Sequence, residues 1–211
     1  LDDAGQIEWE HSYGGSLAEY ASGIVQNASG GYYVSGSTKS NDGDVSGNHG
    51  GVYDAWVLRL DPQGNLLWQK TMGGADRDLF WDICESHDGG VACIGSSSSV
   101  DGDLPGNNGG GDMWVVDLDS SGSVLWNRNY GYISNDGGRC IKRSAAGGYY
   151  LAGSTYGPSG YETGLWMVEV DSVGNMLWEK SIGGSNTSEG IDLIIDGNND
   201  LVVTGWSASE D

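Results

Sequence analysis

Two loops collect oxygen-bearing side chains at the same spacing. One reads Asp42-Gly43-Asp44-Val45-Ser46-Gly47-Asn48 and closes with Asp54 ahead of Trp56; the other reads Asp101-Gly102-Asp103-Leu104-Pro105-Gly106-Asn107 and closes with Asp112 ahead of Trp114. Oxygen donors at alternate positions, with Gly at the sixth where the chain must turn sharply, open a loop that wraps a hard cation. Calcium takes about six to eight oxygens, which carboxylates, Asn amides and backbone carbonyls supply. Two carboxylates about 4 Å apart at an effective dielectric of about 20 repel by roughly 4 kcal/mol, so a loop that gathers three gains by holding a cation. Ca2+ is therefore expected on Asp42, Asp44, Ser46, Asn48 and Asp54, and on Asp101, Asp103, Asn107 and Asp112. Pro105 stands where Ser46 offers an oxygen, so the second loop has one donor fewer. Neither loop has the Glu that usually ends such a loop, and Asp54 and Asp112 have to substitute for it. The competing reading is an Asx-turn loop whose Asp and Asn side chains bond their own backbone. A third counterpart, 156–164, is shorter by six residues and has Glu162 as its only acid, so no ion is expected there. A fourth breaks off at Asp211, the counterpart of Asp42.

Catalysis finds less support. The three histidines, His11, His49 and His87, fall in a strand, a loop and a turn, and no motif surrounds them. There is no nucleophile elbow, no phosphate loop and no H-E-x-x-H, so the chain is not expected to be an enzyme. Glycoside hydrolysis would need paired carboxylates converging on one face. Sugar stacking is the rival role for the abundant Trp and Tyr, which keeps a carbohydrate-binding or carbohydrate-processing function as the alternative.

Charge narrows the partners. Asp and Glu number 30 against 9 Lys and Arg, a net charge of −21. Such a surface repels nucleic acid and anionic headgroups, and no apolar stretch is long enough to cross a bilayer as a helix. No nucleic-acid partner and no membrane insertion are expected.

The elements that must position these loops recur. The pattern D-x-x-G-x-x-x-W occurs at Asp2-Gly5-Trp9, Asp61-Gly64-Trp68, Asp119-Gly122-Trp126 and Asp171-Gly174-Trp178, and a short apolar run closes at Gly36, Gly95, Gly153 and Gly205. Both landmarks step by 59, 58 and 52 residues, which marks tandem repeats at about 1–60, 61–118, 119–170 and 171–211. Within a repeat, a strand with Ile24, Ile83, Ile141 or Leu193 facing a core leads through a Gly-Gly turn into a second strand. The long acidic loop follows. A third strand then begins near Trp56, Trp114 or Trp166, and Asp61 and its equivalents close a turn into a fourth strand that ends in the second Trp, Trp68, Trp126 or Trp178. Four antiparallel strands per repeat predict an all-β chain, a β-propeller of four-stranded blades, with both Trp filling the wedge between blades. By repeat phase the chain starts and stops mid-blade, so it is expected to be an open arc or part of a larger propeller rather than a four-bladed ring lacking a strand. If Asp88-Gly89 is a two-residue turn, Cys84 and Cys93 face each other across it, and a secreted protein would permit a disulfide there; Cys140 is left over as a buried filler.

Three stretches carry a family resemblance: Gly89-Gly90-Val91-Ala92-Cys93-Ile94-Gly95-Ser96, the loop from Asp42 to Gly51, and Asp54-Ala55-Trp56-Val57-Leu58-Arg59-Leu60-Asp61. They resemble the repeats of bacterial secreted β-propellers, found in large proteins that often bear a type IX secretion sorting domain, and the strand order is similar to that of kelch blades. The resemblance spans essentially the whole chain. It implies a secreted or cell-surface location and says little about activity. Together with the acidic loops it leads to the expectation of a non-enzymatic extracellular module for adhesion, assembly or scaffolding. The partner would be another protein or the remaining blades of the same propeller, with glycans as the alternative ligand.

Overall fold

The computed structural model describes residues 1–159, 164–183 and 186–208. Glu162 and Asp211 lie outside the described residues. All regular structure among the described residues is β. Four strands form the first sheet: β1 (Glu19–Gln26), β2 (Tyr32–Thr38), β3 (Asp54–Leu60) and β4 (Leu66–Met72). The second sheet has β5 (Asp78–Glu85), β6 (Val91–Ser97), β7 (Asp112–Leu118) and β8 (Val124–Tyr130), and the third has β9 (Gly137–Arg143), β10 (Tyr149–Thr155), β11 (Gly164–Val170) and β12 (Met176–Ile182). A hairpin of β13 (Ser188–Ile195) and β14 (Leu201–Ser207) follows. Strands pair in sequence order, every neighbour antiparallel.

The repeated residues explain the repeated geometry. In the turn between the third and fourth strands, the Asp Oδ1 accepts two backbone N–H groups, from Gln63 and Asn65 at 2.9 and 2.8 Å for Asp61, and from Ser121 and Ser123 at 2.8 and 2.9 Å for Asp119. The Gly of that turn takes positive φ in all four copies, 76° to 85° at Gly5, Gly64, Gly122 and Gly174. The Trp that follows packs on the turn of the next repeat. Trp68 Nε1 donates to Ser120 O at 3.2 Å, and Trp126 Nε1 donates to Ser172 O at 3.1 Å. Gly36, Gly95, Gly153 and Gly205 have a different cause. The first strand of each unit bulges, at Ala21/Gly23, Phe80/Asp82, Gly138/Cys140 and Gly190/Asp192. The bulge pushes a carbonyl against the second strand, so a Cβ at these glycines would lie 1.7–2.0 Å from the oxygen of Tyr20, Leu79, Gly137 or Glu189.

The turn from β5 to β6 is longer than two residues. The Ser86 N–H donates to Gly90 O and the Gly89 N–H to Ser86 O, which shifts the register by one. Ile83 then pairs with Cys93, and Cys84 with Ala92, so the two cysteines do not face each other as expected. All three cysteines are free thiols.

The sheets stack face to face, and β5 packs across β1, β2 and β3, as β9 does across β5, β6 and β7, and β13 across β9, β10 and β11. Tyr33, Ala55, Val57 and Met72 of the first sheet meet Phe80, Ile83, Cys93, Trp114 and Val116 of the second. Ala92, Ile94, Met113 and Val115 meet Ile141, Tyr149, Leu151, Trp166 and Val168 in the same way. Trp56, Trp114 and Trp166 are buried, each Nε1 donating across its own sheet to Gln69, Asn127 or Glu179.

Candidate functional site

Each acidic loop folds back onto the turn that leads into the first strand of its own sheet. Asp42 Oδ1 accepts the Ser16 N–H at 2.8 Å and Asp44 Oδ2 accepts the Gly14 N–H at 3.1 Å. One repeat later, Asp101 Oδ1 accepts from Ala75 at 2.9 Å and Asp103 Oδ2 from Gly73 at 3.2 Å. The backbone returns the bond, Asp44 N–H to Gly14 O and Asp103 N–H to Gly73 O, both at 2.9 Å. These contacts hold the Asp42 carboxyl below the usual carboxylate range, mainly through the Ser16 N–H. The Ser46 Oγ accepts from Gln69 Nε2 at 2.7 Å. Asn48 and Asn107 form Asx turns, their Oδ1 atoms accepting from Gly50 at 2.7 Å and Gly109 at 2.9 Å. Among the described residues no three His, Cys, Asp or Glu side chains converge so as to hold a metal ion.

Asp54 and Asp112 belong to a different place, the joint between one sheet and the next. A parallel bridge crosses each joint, Tyr53 to Arg77 and Gly111 to Asn135. Through it the Asp78 N–H donates to Tyr53 O at 2.8 Å and the Asp136 N–H to Gly111 O at 2.7 Å. Asp54 is thereby set beside Asp78, and Asp112 beside Asp136. All four are buried. Asp78 is held by the Gly74 N–H at 2.8 Å and the hydroxyls of Ser97 and Ser99 at 2.5 and 2.7 Å. Asp136 accepts from Tyr132 at 2.6 Å and Tyr156 at 2.9 Å. Asp54 Oδ2 accepts the His49 N–H at 2.7 Å and lies 2.9 Å from His49 Nδ1; Asp112 Oδ2 accepts from Asn108 at 2.8 Å. The second oxygen of each, Asp54 Oδ1 and Asp112 Oδ1, is buried with no hydrogen-bond partner.

Burial pushes the Asp112 carboxyl up to about 6, and the neighbouring Asp136 adds to the rise. Asp54 is raised first by burial, and Asp78 adds to it, against the opposing hydrogen bonds from His49. His49 is itself raised, chiefly by its bond to Asp54, and its Nε2 lies 3.5 Å from Asp103 Oδ2 of the second sheet's loop.

Sequence reasoning placed Asp54 and Asp112 with their loops and missed Asp78 and Asp136. A signal was available: Glu19, Asp78 and Asp136 occupy one repeat position, 59 and 58 residues apart.

Along the first strands of the units lies a cavity of ≈ 260 Å³ lined by Arg77, Trp81, Asn135, Asp136, Arg139 and Glu189, among others. Arg139 stacks over the Trp81 ring at 4.4 Å and pairs with Glu189 at 2.5 Å. Comparison with protein-family models and with curated proteins finds no match.

Proposed function

We propose that these sheets are blades of a β-propeller, kelch-like in strand order, that works without catalysis as a module for adhesion, assembly or scaffolding at a bacterial cell surface. The observation that carries this reading is one repeat position seen in four settings. Ile83, Ile141 and Leu193 are 5%, 0% and 2% exposed because a neighbouring sheet covers them, whereas Ile24 is 64% exposed. The outer half of the same face, Trp56, Leu58 and Leu60, is covered by Tyr13 and Val45, and beside Ile24 a cavity of ≈ 370 Å³ opens, lined by Trp9, Tyr20 and Val34. At the hairpin the opposite kind of face is open: Val202, counterpart of the buried Ala92 and Tyr33, is 52% exposed. Each open face has the composition of a joint, so its occupant is another blade of the same repeat. Fully buried joint faces of this kind contribute about 25 cal/mol per Å² of apolar area removed from water. Sedimentation of the chain over a range of concentrations, with Ile24→Lys for comparison, tests this. Association that the substitution abolishes supports the reading, and a monomer at every concentration contradicts it.

Calcium belongs to this reading as the cation that stiffens the module. The loop acids Asp42, Asp44, Asp101 and Asp103 each have an oxygen committed to a backbone N–H, and so do Asp54 and Asp112, but only Asp54 and Asp112 among these keep their second oxygen buried without a partner, which makes them the better placed of the expected ligands. The carbohydrate reading is favoured by the cavity beside Trp81, an indole with Arg139 stacked over its ring, where two arginines and amide and carboxylate groups converge. A glycan array probed with the wild type and with Trp81→Ala separates the two: binding that Trp81→Ala removes favours the sugar.

A further inference from the structure

We propose that each joint between two four-stranded sheets holds a hard divalent cation, calcium by class, between Asp54 and Asp78 at the first joint and between Asp112 and Asp136 at the second. Four observations converge. First, one oxygen of Asp54 and the same oxygen of Asp112 are buried and unpartnered, although the protein satisfies the other oxygen of each. A buried carboxylate oxygen left without a partner is costly, and a positive species removes the cost.

Second, each orphan lies around one point with an oxygen of a second carboxylate that already accepts hydrogen bonds, Asp78 Oδ2 from the Gly74 N–H and the Ser99 hydroxyl and Asp136 Oδ2 from the Tyr132 N–H, and the lack of a side chain leaves that point free. A Cβ on Gly73 would lie 3.0 Å from Asp54 Oδ1 and 2.8 Å from Asp78 Oδ2; a Cβ on Gly131 would lie 2.4 Å from Asp112 Oδ1 and 2.9 Å from Asp136 Oδ2. Third, the arrangement occurs twice, with Asp54 to Asp112, Gly73 to Gly131 and Asp78 to Asp136 all spaced by 58 residues. Fourth, the joint with the hairpin lacks both acids. Gly164 and Ser188 take their places, and Ser188 Oγ satisfies itself on Ser207 Oγ at 2.8 Å. Where the carboxylates are gone, the unpaired oxygen is gone with them.

The charge balance favours a divalent ion over a shared proton. Around the first joint His49 is, among the described residues, the one basic side chain paired with Asp54, Asp78 or Asp103, in a chain of net charge −21. Calcium accepts an irregular set of oxygens and completes its shell with carbonyls and waters, which suits a site that offers two carboxylates rather than a full cage. The inference deepens the assembly reading by giving its joints a ligand. The titration below needs only the folded chain, so its failure leaves blade docking standing, and failed docking leaves the site standing.

The test is calorimetric titration of chelator-treated chain with Ca2+, alongside its melting temperature. Two ions per chain and a raised melting temperature are expected. Asp54→Asn and Asp112→Asn should each remove one ion, while Asp42→Ala combined with Asp44→Ala should leave both. No heat with an unchanged melt overturns the proposal. So does loss of an ion from the loop variant while the Asn variants keep two. A melting temperature indifferent to Ca2+ but falling as pH rises through about 6 assigns the gap to a proton instead and also overturns it. If an Asn variant does not fold, the ion count on the wild type still decides between two and none.

Discussion

At the residue scale the chain spends its acids in two ways. Asp61, Asp119 and Asp171 sit in water and are held below the usual carboxylate range by the Asn or Ser side chains and the N–H groups of their own turns. Asp117 is the reverse case. It is 4% exposed, its Oδ2 accepts the Tyr149 hydroxyl at 2.8 Å, its Oδ1 has no partner, and burial pushes it up to about 6. The folded chain therefore binds this proton more tightly than the unfolded chain does. Its contribution to stability is present at low pH and is lost as pH rises from about 4 through 6. Asp117→Asn keeps an acceptor for Tyr149 and removes the charge. The variant should melt above wild type at about pH 7.5, by the equivalent of on the order of 2 kcal/mol, with the gap closing near pH 4.5. Parallel melting curves across that range would refute the buried-charge cost. The loop acids were legible in the sequence because they are contiguous. Asp78 and Asp136 were not, because what brings them to Asp54 and Asp112 is a parallel bridge between sheets, 24 residues away along the chain.

At the element scale the recurrent glycines divide by cause, and substitution should separate them. Gly89 has φ +81° with open space around it, so Gly89→Ala costs only backbone strain, about 1–2 kcal/mol. Gly95 has an ordinary φ, but its Cβ would meet Leu79 O at 1.7 Å. Gly95→Ala has to shift the bulge of β5 and should cost more, at least about 3 kcal/mol by urea denaturation. Equal costs would mean that the bulge is soft. Trp114→Ala empties a fully buried site and should cost about 3–5 kcal/mol. The order of the strands and the turns between them could be read from landmark spacing, but the fourth strands run four residues beyond Trp68, Trp126 and Trp178, to Met72, Tyr130 and Ile182, and no strand forms around Trp9. The bulges could not be read that way. They add one residue against the partner strand, which no alternation pattern displays, and the longer turn at Ser86–Gly90 likewise moved Cys84 away from Cys93.

At the scale of the whole molecule the repeats share a strand plan and differ in what covers it, as well as in their loop and joint acids. Lys at Ile141 would place a charge in a closed joint, whereas Lys at Ile24 would place it on an open face. Ile141→Lys should unfold the chain or cost several kcal/mol, roughly the scale of an unpaired buried charge, while Ile24→Lys should leave the melting temperature close to wild type. The two open faces are of opposite kinds, the face with Ile24 at one end of the stack and the face with Val202 at the other, so the proposed docking between them is head-to-tail. The deciding measurement is sedimentation velocity on wild type, Ile24→Lys, Val202→Lys and an equimolar mixture of the two variants. Docking of blade on blade predicts that wild type grows with concentration, that each variant alone stays monomeric, and that the mixture forms a one-to-one pair through the two faces left intact. Wild type at monomer mass throughout, or a mixture that does not pair, would contradict it.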